Sequence, residues 1–124
     1  MSLPKYFTEG KTVHKKSKEQ ENRVAKIVGG KRQKGSGSQD FHKGDVKSTE
    51  LLIEAKMTSH DSLSVKKAWL IKIHKEASTY KKIPGLSIEF EDMPSIVPRD
   101  WIAIPAHTLS YLIECARIVE AEDE

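Results

Sequence analysis

Asp45, Glu54 and Lys56 are the residues of this 124-residue chain whose types and spacing can do chemistry. Successive side chains of a β-strand point to opposite faces. In the run Leu51-Leu52-Ile53-Glu54-Ala55-Lys56, therefore, Leu51, Ile53, Ala55 and Met57 can line a buried face while Leu52, Glu54 and Lys56 share the other. A carboxylate and an ammonium then stand side by side at the edge of a core. Asp45 lies nine residues before Glu54, with Ser48-Thr49-Glu50 between them as a turn, so an antiparallel hairpin folds Asp45 back to within reach of Glu54. Two carboxylates brought together favour a cation. Mg²⁺ takes one or two protein carboxylates and leaves its other positions to water and phosphate oxygens. An ammonium beside such an ion can orient a water and stabilise charge on a phosphate. The pattern suits equally a solvated strand edge carrying an ordinary ion pair, because Glu-x-Lys is common.

These residues need elements to position them. Residues 1–16 are polar and without periodicity, and read as a loose basic segment. Ser17 with Gln20 three residues on reads as a capping box opening a helix, which Gly29-Gly30 closes. Val24, Ile27 and Val28 are its expected buried stripe, and Glu21 falls one turn before Val24-Ala25, where an unpaired carboxylate is costly unless it meets a cation or Lys56. Alternatively Glu21 points outward and pairs with Lys18 or Lys26.

Lys31-Arg32-Gln33-Lys34-Gly35-Ser36-Gly37-Ser38 can present main-chain N–H groups, hydroxyls and cations to a phosphate, or serve as a flexible linker. Beyond Thr58, Asp61-Ser62 reads as a cap for an amphipathic helix from Leu63 to about Tyr80, with Val65, Ala68, Trp69 and Ile73 inward and Lys66, Lys67, Lys72 and Lys75 outward. Leu86–Phe90 and Trp101–Ile104 alternate as strands around a Pro-containing loop. Thr108 reads as the cap of a last helix with Leu109, Leu112, Ile113 and Ala116 facing inward, and residues 121–124 as an acidic tail.

Length allows one small domain, placed at residues 17–120, and 31% charged residues make it hydrophilic. No apolar run approaches the roughly 20 residues that span a bilayer, and no apolar leader stretch is seen, so a cytoplasmic protein without membrane contact is expected. The single Cys115 allows no internal disulfide and makes a zinc site improbable. The net charge of +3 is uneven: residues 1–50 carry 12 Lys/Arg against 6 Asp/Glu, and residues 51–124 carry 9 against 12. Lys15-Lys16-Lys18 and Lys31-Arg32-Lys34 can neutralise phosphates, or form a solvated basic surface.

Taken together, Glu21-Asn22-Arg23-Val24, the Gly35–Ser38 loop, Gly44-Asp45, Ile53-Glu54-Ala55-Lys56, Asp61-Ser62-Leu63-Ser64-Val65 and Ile83-Pro84 resemble the PD-(D/E)xK nuclease superfamily, and within it the archaeal-type Holliday junction resolvases and their phage relatives. The resemblance runs from about Glu19 to Ile104. It implies an α/β (α+β) fold with a restriction-endonuclease-like central mixed sheet flanked by helices. It also implies a Mg²⁺-dependent endonuclease, with Mn²⁺ able to substitute, acting as a homodimer on four-way DNA junctions in recombination and repair. Such an enzyme works at the nucleoid, or in the host cytoplasm if encoded by a phage.

By the same resemblance Asp45, Glu54, the Ala55 carbonyl and Glu21 are metal ligands, with Glu19 competing for the place of Glu21. Lys56 positions water, and Ser38 joins the catalytic set. Lys31, Arg32, Lys34, Ser36, Ser38, Lys66 and Lys67 are implied to contact DNA. Gly44 stands where the family has Pro, and the residues after Glu91 match loosely.

Overall fold

In a computed structural model that describes residues 5–33 and 44–123, with side chains from residue 15 onward, the chain is an α+β protein whose five-stranded mixed sheet is flanked by three helices. Helix α1 (Lys5–Val28) leads into the short strands β1 (Lys31–Arg32) and β2 (Val46–Lys47). Strand β3 (Leu51–Thr58), helix α2 (Lys67–Thr79), strand β4 (Ile83–Phe90), strand β5 (Asp100–Ala103) and helix α3 (Ala106–Asp123) follow. The strands lie in chain order. β3 and β4 are parallel and joined through α2, and every other pairing is antiparallel.

The central strand is covered on both faces, because Leu52 and Ile53 are each fully buried. Ile53 packs with Val24, Ala25 and Val46 under α1, whereas Leu52 packs with Ile73 and Ala77 under α2. The expected one-sided alternation is therefore replaced by burial on both sides near the start of β3, and polar side chains follow where the helices give way.

Helix α1 begins twelve residues before Ser17, so Ser17 and Gln20 are interior residues and not a capping box. Lys, Glu and Gln are good helix formers, which favours extension of the helix toward its N-terminus. The inward stripe is Gln20, Val24, Ala25 and Val28, and Ile27 is exposed. Gly29 ends the helix with φ +65°, a conformation glycine adopts without steric penalty, and the Gly30 N–H donates to the Ala25 carbonyl at 2.8 Å.

Helix α2 starts at Lys67, not Leu63, and no side chain caps it. Its buried residues are Ile73 and Ala77, while Val65 and Ala68 are exposed and Trp69 is half-buried. Strand β4 starts at Ile83 and accommodates Pro84, because the β5 pairing begins only at Leu86, so at Pro84 no β5 partner is left waiting for an N–H. Helix α3 starts before Thr108, which is its one buried residue. Leu109, Leu112, Ile113 and Ala116, expected inward, are all exposed. Among the described residues no helix is long and apolar enough to cross a membrane.

Candidate functional site

The β2–β3 hairpin builds the site. Val46 pairs with Ile53 and Lys47 with Leu52, so one further step along the same register brings Asp45 opposite Glu54. The Ser48 turn fixes that register: the Ser48 N–H donates to the Leu51 carbonyl at 2.9 Å, and the Ser48 hydroxyl oxygen accepts the Leu51 N–H at 2.9 Å.

Asp45 is then tied on three sides. Its N–H donates to the Ile53 carbonyl at 2.7 Å, its carbonyl accepts the Gln33 N–H at 2.8 Å, and its carboxylate Oδ2 accepts the Ala55 N–H at 2.7 Å. Gly44 before it has φ +65°, and a Cβ there would come within 3.0 Å of the Ile53 carbonyl oxygen, so a side chain would spread the hairpin where the carboxylate is aimed.

Glu54 and Lys56 share the face of β3 that looks toward α2. Glu54 is mostly buried, with its Oε1 at 3.5 Å from the Lys56 ammonium and 3.9 Å from that of Lys72. The Lys56 ammonium also lies 4.6 Å from the centre of the Trp69 ring, whose electron-rich face attracts a cation and limits where this long side chain can go. Trp69 is thus not a fully buried core residue; half-buried, it carries the lysine against its ring. Below, Gln20 on α1 donates to the Lys56 carbonyl at 2.9 Å and to the Ser87 hydroxyl at 3.4 Å, which pins the strand beneath Lys56 to α1 and β4.

Glu21 follows Gln20 onto the same side of α1, its Oε1 3.8 Å from Arg32, with the charge of Lys18 also acting on it. Its carboxyl is pushed up to about 7, first by burial and then by the charge of Asp45, with Glu54 adding to the rise and Arg32 opposing it. Glu54 is raised as well, again by burial first and Asp45 second, while Lys72 and Lys56 pull it down. Both rises therefore have burial as their first cause and the charge of Asp45 as their second. Glu19, by contrast, is exposed.

As they stand, no three His, Cys, Asp or Glu side chains among the described residues are grouped closely enough to enclose an ion. The available set is two hairpin carboxylates plus the Ala55 carbonyl, all oxygen donors. That suits a small hard cation which keeps most of its waters, and does not suit zinc.

Of the remaining residues singled out in the sequence, Arg32 is engaged with Glu21, and Lys31 lines a hollow of about 540 Å³ together with Lys47, Ser48 and Lys82. Lys66 and Lys67 are exposed at the start of α2, with the Lys66 ammonium 5.8 Å from the Trp69 ring centre. Lys34, Ser36 and Ser38 lie outside the described residues. Three contributors escaped the sequence reading. Gln20 and Lys72 act on the site over 36 and 18 positions of chain, and Glu76 accepts the Gly44 N–H at 3.1 Å and so steadies the residue before Asp45. For Lys72 and Glu76 a signal did exist: both sit one or two helical steps from Trp69 on the face of α2 that meets β3.

No protein-family model, no curated protein and no solved structure matches this chain.

Proposed function

We propose that the chain is a structure-specific DNA endonuclease that hydrolyses phosphodiesters with Mg²⁺, or Mn²⁺ in its place, and acts on four-way junctions as a homodimer that nicks opposed strands. The observation that carries this reading is the hairpin register that brings the Asp45 carboxylate opposite Glu54, with an oriented lysine two residues further along the strand. Asp45, Glu54 and the Ala55 carbonyl would hold the ion, and Glu21 adds negative charge beside them. When bound, such an ion supplies Lewis acidity and offsets charge on the phosphate. Lys56, resting on Trp69, donates toward the phosphate and orients the water whose oxygen attacks phosphorus in line as the bond to the leaving sugar oxygen breaks. Lys66 and Lys67, exposed beside that lysine, and Lys31 with Lys47 and Lys82 offer cations to the DNA backbone. A homodimer fits the reading because one small site reaches one strand at a time.

The test is direct. The wild-type chain and Asp45→Asn are incubated with an end-labelled four-way junction, a matching duplex and a flap, with and without Mg²⁺. Symmetric nicks confined to the junction, requiring Mg²⁺ and absent in Asp45→Asn, are expected. Cleavage of duplex or flap instead of the junction moves the substrate within the same chemistry. Junction binding with no cleavage under any metal, unaffected by Asp45→Asn, replaces the enzyme with a DNA-binding module.

A further inference from the structure

Sheet register fixes what lies beside the hairpin on one face. Lys56 of β3 pairs with Ile88 of β4, and Ile88 pairs with Trp101 of β5. Directly paired residues point their side chains to the same face, so Lys56, Ile88 and Trp101 form one row across the sheet. The residues between them in sequence agree. Gln20 on α1 reaches Ser87, and Arg23 on α1 holds Asp100, which places Ser87 and Asp100 on the opposite face. Two strand spacings, roughly 10 Å, separate Trp101 from Lys56 along the row.

Trp101 is not spent on the core. Helix α2 packs against β3 and β4, and beyond them Trp101 is 51% exposed. Its ring is nonetheless held. The indole N–H donates to the Pro98 carbonyl at 2.8 Å, and Pro98 belongs to a loop that is itself tied down. In that loop the Val97 N–H donates to the Pro94 carbonyl at 2.9 Å, and Arg99 is paired with buried Glu89. A loose ring would give up its freedom on meeting a ligand, whereas this one is already in place.

The size of the ring narrows what it can take. A protein interface draws roughly 800 Å² from each partner, and one indole offers about 250 Å² at most. A nucleobase has a flat π-face of matching size and stacks on an aromatic side chain whatever its sequence. Cations for the backbone that carries such a base stand close to the row: Lys56 within it, Lys66 against the Trp69 ring beside Lys56, and Lys67 exposed next to Lys66. A base inside a duplex is covered by its neighbours and cannot reach the ring. One left open at a branch or in a single strand can.

We propose that Trp101 is a stacking platform for an open DNA base, roughly 10 Å from Lys56, or about three base steps at 3.4 Å each. The platform makes unpaired or branch-point DNA, and not continuous duplex, the substrate class of this surface. Stacking rests on the geometry of β5; only its place beside a cleaved phosphate rests on the nuclease reading.

Fluorescence and affinity test it together, in metal-free buffer. The chain has two tryptophans, so Trp69→Phe leaves Trp101 as the sole one. Its emission should be quenched by a dT oligonucleotide and left unchanged by a relaxed circular duplex, which has no open base. With Trp69 intact, Trp101→Ala should bind the dT oligonucleotide about ten- to hundredfold more weakly, the range that one stacked base supplies. Trp101→Phe keeps an aromatic face and loses only the N–H, so it should bind close to the wild type. Neither change should move binding of the circle or the far-ultraviolet circular dichroism. Emission indifferent to dT overturns the proposal. So does a Trp101→Phe as weak as Trp101→Ala, which makes the brace on Pro98 the role of the ring, and so does an equal loss of dT and circle binding. Trp101→Ala binding dT like the wild type also overturns it and leaves the ring to a protein partner. The two readings fail separately. Quenching by dT in a chain that cuts no DNA sinks the nuclease and keeps the platform, and junction nicking undiminished in a Trp101→Ala that binds dT normally does the reverse.

Discussion

Two acidic clusters occupy this small sheet, and they are built on opposite plans. At the β4–β5 end, fully buried Glu89 meets the Arg23 guanidinium at 2.7 Å and also the Arg99 guanidinium, while Arg23 holds Asp100 through a paired contact at 3.0 and 3.1 Å. Two acids face two arginines, and Arg23 is held more firmly charged, by its hydrogen bond to Asp100 above all. At the hairpin, Glu21 and Glu54 are raised by burial and then by the charge of Asp45, and among the described residues the cations nearby are spread out: Lys56 lies partly over Trp69, Lys72 is shared with Glu76, and Arg32 is 3.8 Å from Glu21. A cluster that serves the fold is neutralised by guanidinium groups, here as a two-bond fork on Asp100 and as two arginines converging on one oxygen of Glu89. The hairpin cluster, whose raised acids stand beside a lysine held against Trp69, is the one to which the proposed function assigns an ion.

The largest expected effect breaks the balanced cluster. Arg23→Ala leaves Asp100 without its fork and the buried Glu89 with Arg99 alone; removing one partner of a buried pair costs roughly 3–5 kcal/mol. Chemical denaturation measures it, and a loss within experimental error would mean that the arginines are not what neutralises this end. The unbalanced cluster should respond in the other currency. Lys56→Ala should lower cleavage about 10²–10³-fold, the scale for losing one donor to a developing charge, with junction binding retained in a gel-shift assay. Were Lys56→Ala instead to unfold the chain as Arg23→Ala does, the distinction between the two ends would vanish.

Much of the hairpin was legible in the sequence, because its determinants are local. A serine turn, an alternating run and a count of nine residues suffice to bring Asp45 back to Glu54. Gln20 was not legible. Ser-x-x-Gln fits a helix start and a helix interior equally, and what decides between them is Lys56 and Ser87, 36 and 67 residues away. Glu89 reads as the outward residue of an alternating strand until Arg23 and Arg99 arrive from α1 and the β4–β5 loop. For α3, periodicity correctly announces a helix with an apolar side. It cannot say which surface covers that side, and the expectation of an inward face fails because the two-residue connection from β5 carries the helix away from its own core.

Mg²⁺ sharpens the comparison further. An ion bound only by the folded hairpin raises the free energy of unfolding by about 2.7 kcal/mol at a concentration a hundredfold above its dissociation constant. That gain should appear in the wild type, shrink in Glu54→Gln and persist in Arg99→Lys, whose change lies in the other cluster. Equal gains in Glu54→Gln and wild type would remove Glu54 from the ion's surroundings.

The last expected effect is a slope with pH in the metal-free chain. Glu21 has an ordinary value of 4.5 and is pushed up to about 7 in the folded state, so between those values the folded chain holds a proton that the unfolded chain has released. Stability from this group is therefore fully present below about 4.5 and is lost as pH rises to about 7. An acid stabilised by arginine contributes with the opposite sign, gaining stability as pH climbs through the acid range. Glu21→Gln should flatten the fall between pH 5 and 7 while leaving the acid limb below it in place, measured by denaturant midpoints across that range. The wild-type fall should also become shallower when saturating Mg²⁺ is present, since a cation beside Asp45 and Glu54 offsets the charges that add to the effect of burial on Glu21. A slope unmoved by both changes would trace the pH response to another group and leave Glu21 as an outlying acid with no part in the hairpin's charge.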